Sequence, residues 1–142
     1  MKLSTWCLLA AALFLGAAGL SDCVRAEKDT APSLSEIMRK LNGGTNSMTR
    51  NLELDLKDDD PDWEAIQESS AEYVKLVDGL QKGTPRKGDK ASWERLTKNY
   101  AANARALDAA ARKKDRKAAA LVVTRIKNSC NACHDVHRPK DD

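Results

Sequence analysis

Aromatic side chains make up only 4% of the 142 residues: three tryptophans, two tyrosines and one phenylalanine. Set beside a hydrophobic content of 42%, that scarcity argues against a β-sandwich and for a helical core built of alanine and leucine. Strand-type alternation and internal repeats are also missing, and the length suits one domain. Basic residues are not interleaved with aromatics, so no nucleic-acid partner is expected. No apolar run is long enough to span a bilayer: Leu8 to Leu20 falls short of the roughly 20 residues a spanning helix needs. Only two histidines are present, His134 and His137, and no methionine follows Met48.

The same short apolar run, with Lys2 before it and Val24-Arg25-Ala26 after it, has the layout of a secretory signal peptide over residues 1–26. Residues 27–142 then form the mature domain, exported to the periplasm or its equivalent and without a transmembrane helix. Cleavage before Cys23 to give a lipoprotein is the alternative, although Asp22 stands where a small residue is expected. Cleavage after Ala26 removes Cys7 and Cys23 and leaves two cysteines. The formal charge of the whole chain is +3, but Asn51 to Glu72 holds nine acids against one lysine and Lys82 to Lys117 twelve bases against four acids. Such a division suits solvated helix faces, or the steering of a charged redox partner whose identity the chain does not reveal.

Four amphipathic segments are predicted. The first begins at the capping-box pattern Ser33-Leu34-Ser35-Glu36, carries Ile37, Met38 and Leu41, passes through Gly43-Gly44 and ends near Leu56. The second starts with Asp60 as N-cap and Pro61 at the first helical position, and buries Trp63, Ile66, Tyr73, Val77 and Leu80. The third, capped by Asp89, carries Trp93, Leu96, Tyr100, Ala104, Leu107 and Ala111. The fourth starts near Asp115, turns Ala119, Val122, Ile126, Ser129 and Cys133 inward, and ends before Pro139. Short connections make an all-α, antiparallel up-down-up-down four-helix bundle the expected architecture. A homodimer of such bundles is left open.

The chemistry is concentrated in Cys130-Asn131-Ala132-Cys133-His134. Two thiols at this spacing can add across the two vinyl groups of a haem, and the adjacent imidazole can bind the iron. One covalent haem c attached at Cys130 and Cys133, with His134 as proximal ligand, is therefore expected. A redox disulfide is disfavoured because the βαβ pattern of a thioredoxin-like site is absent. Zinc held by Cys130, Cys133, His134 and His137 is disfavoured because four ligands within eight residues of one helix do not surround a tetrahedral ion.

In an antiparallel bundle the end of the fourth helix lies level with the start of the first and third and the end of the second. The haem is thus expected among Ile37, Met38 and Leu41, Val77 and Leu80, and Trp93 and Leu96. Met38 and Met48 are about 15 Å of helical rise apart, so only one can reach the iron, and topology selects Met38 as the distal ligand over ordinary core packing. His137 is expected at the surface or the haem edge, and Arg138 beside a propionate or at the helix C-terminus.

With its motif at the end of a fourth helix, the chain resembles the class II cytochromes c, the cytochrome c′ family. The resemblance rests on Cys130 to Arg138 and on Ile37-Met38-Arg39-Lys40. It implies a methionine ligand early in the first helix, as in low-spin members, which falls at Met38. High-spin members have an apolar residue there and bind nitric oxide or carbon monoxide at an open iron. Trp93 is similar to a family tryptophan, whereas His137 departs from the usual tyrosine or phenylalanine. The expected function is electron transfer rather than catalysis. The alternative is gas binding at a distal face lined by Ile37, Leu41 and Trp93. A peroxidase lacks support because Arg39, the only distal base that could be placed, should point away from the core.

Overall fold

The structure, a computed structural model, describes residues 31–138. The signal-peptide reading and its Cys23 alternative lie outside them. Five helices follow one another: α1 (Leu34–Asn42), α2 (Met48–Asp55), α3 (Trp63–Lys82), α4 (Lys90–Arg112) and α5 (Arg116–His137). The described residues contain no strand. α1 and α2 together make the first leg of an all-α bundle whose other legs are α3, α4 and α5.

The break in the first leg corrects the single helix expected as far as Leu56. Gly43 caps α1 in an extended conformation, Gly44 takes φ +72, and Ser47 starts α2 afresh. A left-handed residue ends the α-helical hydrogen-bond ladder, and glycine adopts that conformation without the steric cost other residues bear. As a result the two halves of the leg pack differently. The backbone of α2 closes against α3 and α5, whereas that of α1 approaches only α2 and α3 and stands clear of α4 and α5.

Side-chain caps set most of the other boundaries. Ser33 and Glu36 form the expected capping box, and Asp89 and Asp115 cap α4 and α5 by accepting from the Ser92 and Ala118 amides at 2.7 and 3.0 Å. α3 starts two residues later than expected. Asp62, not Asp60, is the N-cap, because its Oδ1 accepts from both Glu64 and Ala65 amides at 3.1 Å. Asp62→Ala should lower stability by about 1 kcal/mol in urea unfolding, the typical loss of an N-cap, whereas Asp60→Ala should be near neutral.

The core runs along Leu52, Ile66, Tyr73 and Val77 and across Ala101, Ala104 and Leu107 to Ala119 and Ile126. Alanines on α4 keep its separation from α3 and α5 short. Where α2 meets α5, Glu53 accepts from Lys127 at 2.7 Å and from Lys57 at 3.0 Å. Lys127 first and Lys57 second hold its carboxyl down to about 2, against an ordinary value of 4.5. A depressed carboxylate pKa stabilises the fold above the unfolded value and ceases to do so as pH falls through the folded one. Thermal midpoints should therefore fall between about pH 4.5 and 2, and Glu53→Gln should flatten that part of the profile.

Candidate haem site

Because α1 stands away from α5, a space opens between them at one end of the bundle. Two adjoining cavities occupy it, of about 300 and 570 Å³, and both are lined by Met38, Asn42, Leu80, Cys133 and His134. The smaller also touches Cys130, Leu96, Thr97 and Tyr100; the larger extends to Leu34, Trp93 and His137, with Arg39, Arg86 and Arg138 among its lining. Shared walls make the two cavities parts of one cleft, within the size range of roughly 300–1,000 Å³ usual for small-molecule sites.

Helical spacing brings the three motif side chains to this cleft. Cys130 and His134 are one turn apart, with Cys133 beside them, all partly buried on α5. Neither cysteine is in a disulfide. The Cys130 thiol donates to the Ile126 carbonyl at 3.5 Å. Burial raises the pKa of both thiols, and the neighbouring Cys130 raises Cys133 further. That is opposite to the lowered pKa of a reactive redox cysteine, so these are neutral thiols set in an apolar wall. Burial, and after it the charge of Arg138, lowers the His134 pKa against the smaller opposing pull of Asp135. The imidazole therefore keeps a lone pair at neutral pH, the form in which it binds a metal.

His137 is buried rather than at the surface. Its Nδ1 lies 2.8 Å from the Lys87 carbonyl and its Nε2 3.2 Å from Ser92 Oγ, while Trp93 meets it edge-on with ring centroids 5.3 Å apart. Both ring nitrogens are thus committed, and the indole Nε1 of Trp93 donates to Gly83 at 2.9 Å. This cluster ties the end of α5 to the α3–α4 loop. The polar contacts make an imidazole suitable at a site where the family resemblance led one to expect Tyr or Phe. His137 also lines the larger cavity together with Cys133 and His134.

Gly88 makes the approach possible. It has φ +81, and a Cβ there would stand 2.6 Å from His137 Nδ1. Gly88→Ala should cost about 1–2 kcal/mol in backbone strain alone, with more lost as His137 is displaced, measurable as a lowered thermal midpoint.

Of the other expected pocket residues, Leu80, Trp93, Leu96 and Arg138 line the cleft. Ile37, Leu41 and Val77 do not: they are fully buried in the core, and Ile37 packs against Gly79 of α3. The short, broken α1 turns this apolar edge to α3 and leaves Met38, one residue round the helix, partly buried on the cleft side. Met48 packs against the core and lines neither cavity.

One group at the cleft was absent from the sequence-level expectations. Asn42 Nδ2 donates to Tyr100 Oη at 3.1 Å, and Thr49 Oγ1 donates to Asn42 Oδ1 at 2.8 Å. Thr49 Oγ1 and Tyr73 Oη are 2.8 Å apart, and the two tyrosine hydroxyls 2.6 Å apart. Since the Thr49 proton is spent on Asn42, Tyr73 must donate to Thr49 and Tyr100 to Tyr73, which closes a ring of four hydrogen bonds. Burial raises the pKa of both phenols, so they stay neutral. The only signal in the sequence was the placement of Asn42 four residues after Met38, on one helix face.

Two thiols and an imidazole along one helix, a thioether across an apolar cleft and guanidinium groups at its margin form a donor set that fits an anionic macrocycle bearing iron. The site thus defines a haem-binding helical bundle. Residues 88–138, from the start of α4 through the motif, match the family model described as Cytochrome C', a family whose cofactor is covalently attached haem c. Searches of curated proteins and of solved structures found no match. Met38 lies outside the matched segment. No helix among the described residues is long and apolar enough to cross a membrane.

Proposed function

We propose that the chain is an exported electron carrier that holds haem c through thioether bonds to Cys130 and Cys133, with His134 as proximal and Met38 as distal iron ligand. The observation that carries this reading is the lining of both parts of the cleft by Met38 from α1 and by Cys133 and His134 from α5, helices whose backbones stay apart. When bound, haem c supplies one-electron iron chemistry. The chain's part is to fix two ligands, exclude water with Leu80, Leu96 and Trp93, and carry charge that suits the propionates on Arg39 and Arg138. A methionine ligand favours ferrous iron, and a full ligand set limits rearrangement when an electron moves. Export follows from the signal-peptide reading of residues 1–26, and the acceptor and donor are redox proteins met at the basic margin of the cleft.

The second reading is gas binding at a five-coordinate iron, and its support is that Met38 already packs against the core. An absorption spectrum of the reduced holoprotein, before and after carbon monoxide, separates the two. A low-spin spectrum slow to respond to carbon monoxide is expected; a high-spin spectrum that changes at once would assign the protein to gas binding.

A further inference from the structure

We propose that Asn42 is a positioning residue that holds the Met38 thioether with one sulfur lone pair occupied and the other left for iron. This rests on the reading of Met38 as distal ligand. Asn42 Nδ2 lies 4.0 Å from Met38 Sδ, within the range of a weak N–H···S contact, and the two residues are one turn apart on α1.

The ring of hydrogen bonds gives that contact its direction. Asn42 Oδ1 is held by Thr49 and one amide proton by Tyr100, so the plane of the amide is fixed and its remaining N–H is directed at the sulfur. Thr49 on α2, Tyr73 on α3 and Tyr100 on α4 thus brace one side chain of α1 from three other helices. No buried side-chain polar atom among the described residues is left without a partner, so the ring is fully satisfied. A satisfied buried network is rigid, and a partly satisfied one is costly, which makes the amide orientation hard to change. Met38 is unbranched and flexible, and α1 is short and lacks backbone contact with α4 and α5. A donor on the sulfur restricts its rotamers before the ligand bond forms. It also draws electron density from the thioether, which further favours ferrous iron.

Asn42→Leu keeps the size and removes the donor; Thr49→Val keeps the shape and frees the amide to rotate. In holoprotein matured with haem, Asn42→Leu should leave the covalent haem content unchanged, weaken or shift the sulfur-to-iron charge-transfer band, lower the reduction potential and raise the fraction open to carbon monoxide roughly two- to tenfold, the ratio equivalent to one net hydrogen bond. Thr49→Val should move the same readouts in the same direction by less. A purely structural role would lower the thermal midpoint and leave band and potential where they were. Wild-type band, potential and carbon monoxide kinetics in both variants would overturn the proposal, and if Asn42→Leu does not fold, Thr49→Val alone decides it. Met38→Ala, measured alongside, identifies the other kind of failure: if it matches the wild type, Met38 is not a ligand and the role of Asn42 falls with it.

Discussion

A Cys130→Ser, Cys133→Ser double variant is expected to retain no haem after denaturation and extraction with acidified organic solvent, whereas the wild type should retain all of it. Each attachment adds a thiol across a vinyl double bond: sulfur joins one carbon, the thiol hydrogen the other, and no oxidant is consumed. The elevated thiol pKa values agree with a site that presents neutral S–H groups in an apolar wall. Each single variant should keep one bond and show a red-shifted reduced haemochrome, because one vinyl group stays conjugated with the ring. Covalent haem in the double variant, or none in wild type matured in a competent host, would remove the assignment of these two cysteines. Because Cys130 and Cys133 are only partly buried and neither is a member of the buried core, the double variant should still be helical by circular dichroism.

Met38→Ala should convert low-spin iron to high-spin and speed carbon monoxide binding by at least roughly an order of magnitude. A ligand that must leave first reduces the competent fraction of the protein, and apparent affinity falls with that fraction. The reduction potential should drop as well, since the thioether is the ligand that favours ferrous iron. Met48→Ala is the control: it packs in the core away from both cavities, so it should lower stability and leave the spectrum unchanged. If Met38→Ala and wild type share one spectrum, the gas-binding reading takes precedence.

The attachment motif and helical class were legible because they depend on local spacing. Three intervening positions on a helix place Cys130 and His134 on one face whatever surrounds them, and Asp89 and Asp115 cap their helices through their own nearby amides. α3 starts later than expected because Asp60-Pro61 has the form of a cap followed by a first-turn proline, and the choice of Asp62 over Asp60 depends on loop geometry that residue type does not encode. Periodicity resumed at Met48 and Leu52 after Gly43-Gly44, which made one helix plausible. A left-handed Gly44 leaves the spacing of apolar residues readable on either side of a break.

Pocket membership was less legible. Ile37, Met38 and Leu41 share one apolar stripe, and the stripe alone does not say which of its edges meets a neighbouring helix and which meets a cavity. The burial of His137 was not legible, because its partners are a backbone carbonyl and a hydroxyl 50 and 45 residues away. The Asn42 ring is nonlocal in the same way: four polar residues from four helices form a closed set only when those helices are packed.

Sequence by itself determined the helical class, the pair of thiols with an adjoining imidazole, and the restriction of thioether candidates to Met38 and Met48, since all three follow from residue type and helical spacing. Tertiary structure alone decided that α1 parts from α5 to open a cleft, that Met38 and not Ile37 or Leu41 lines it, and that Asn42 reaches the sulfur. Those outcomes depend on how a broken first leg divides its packing between α3 and α5, a balance of contacts distant in the chain that local pattern does not carry.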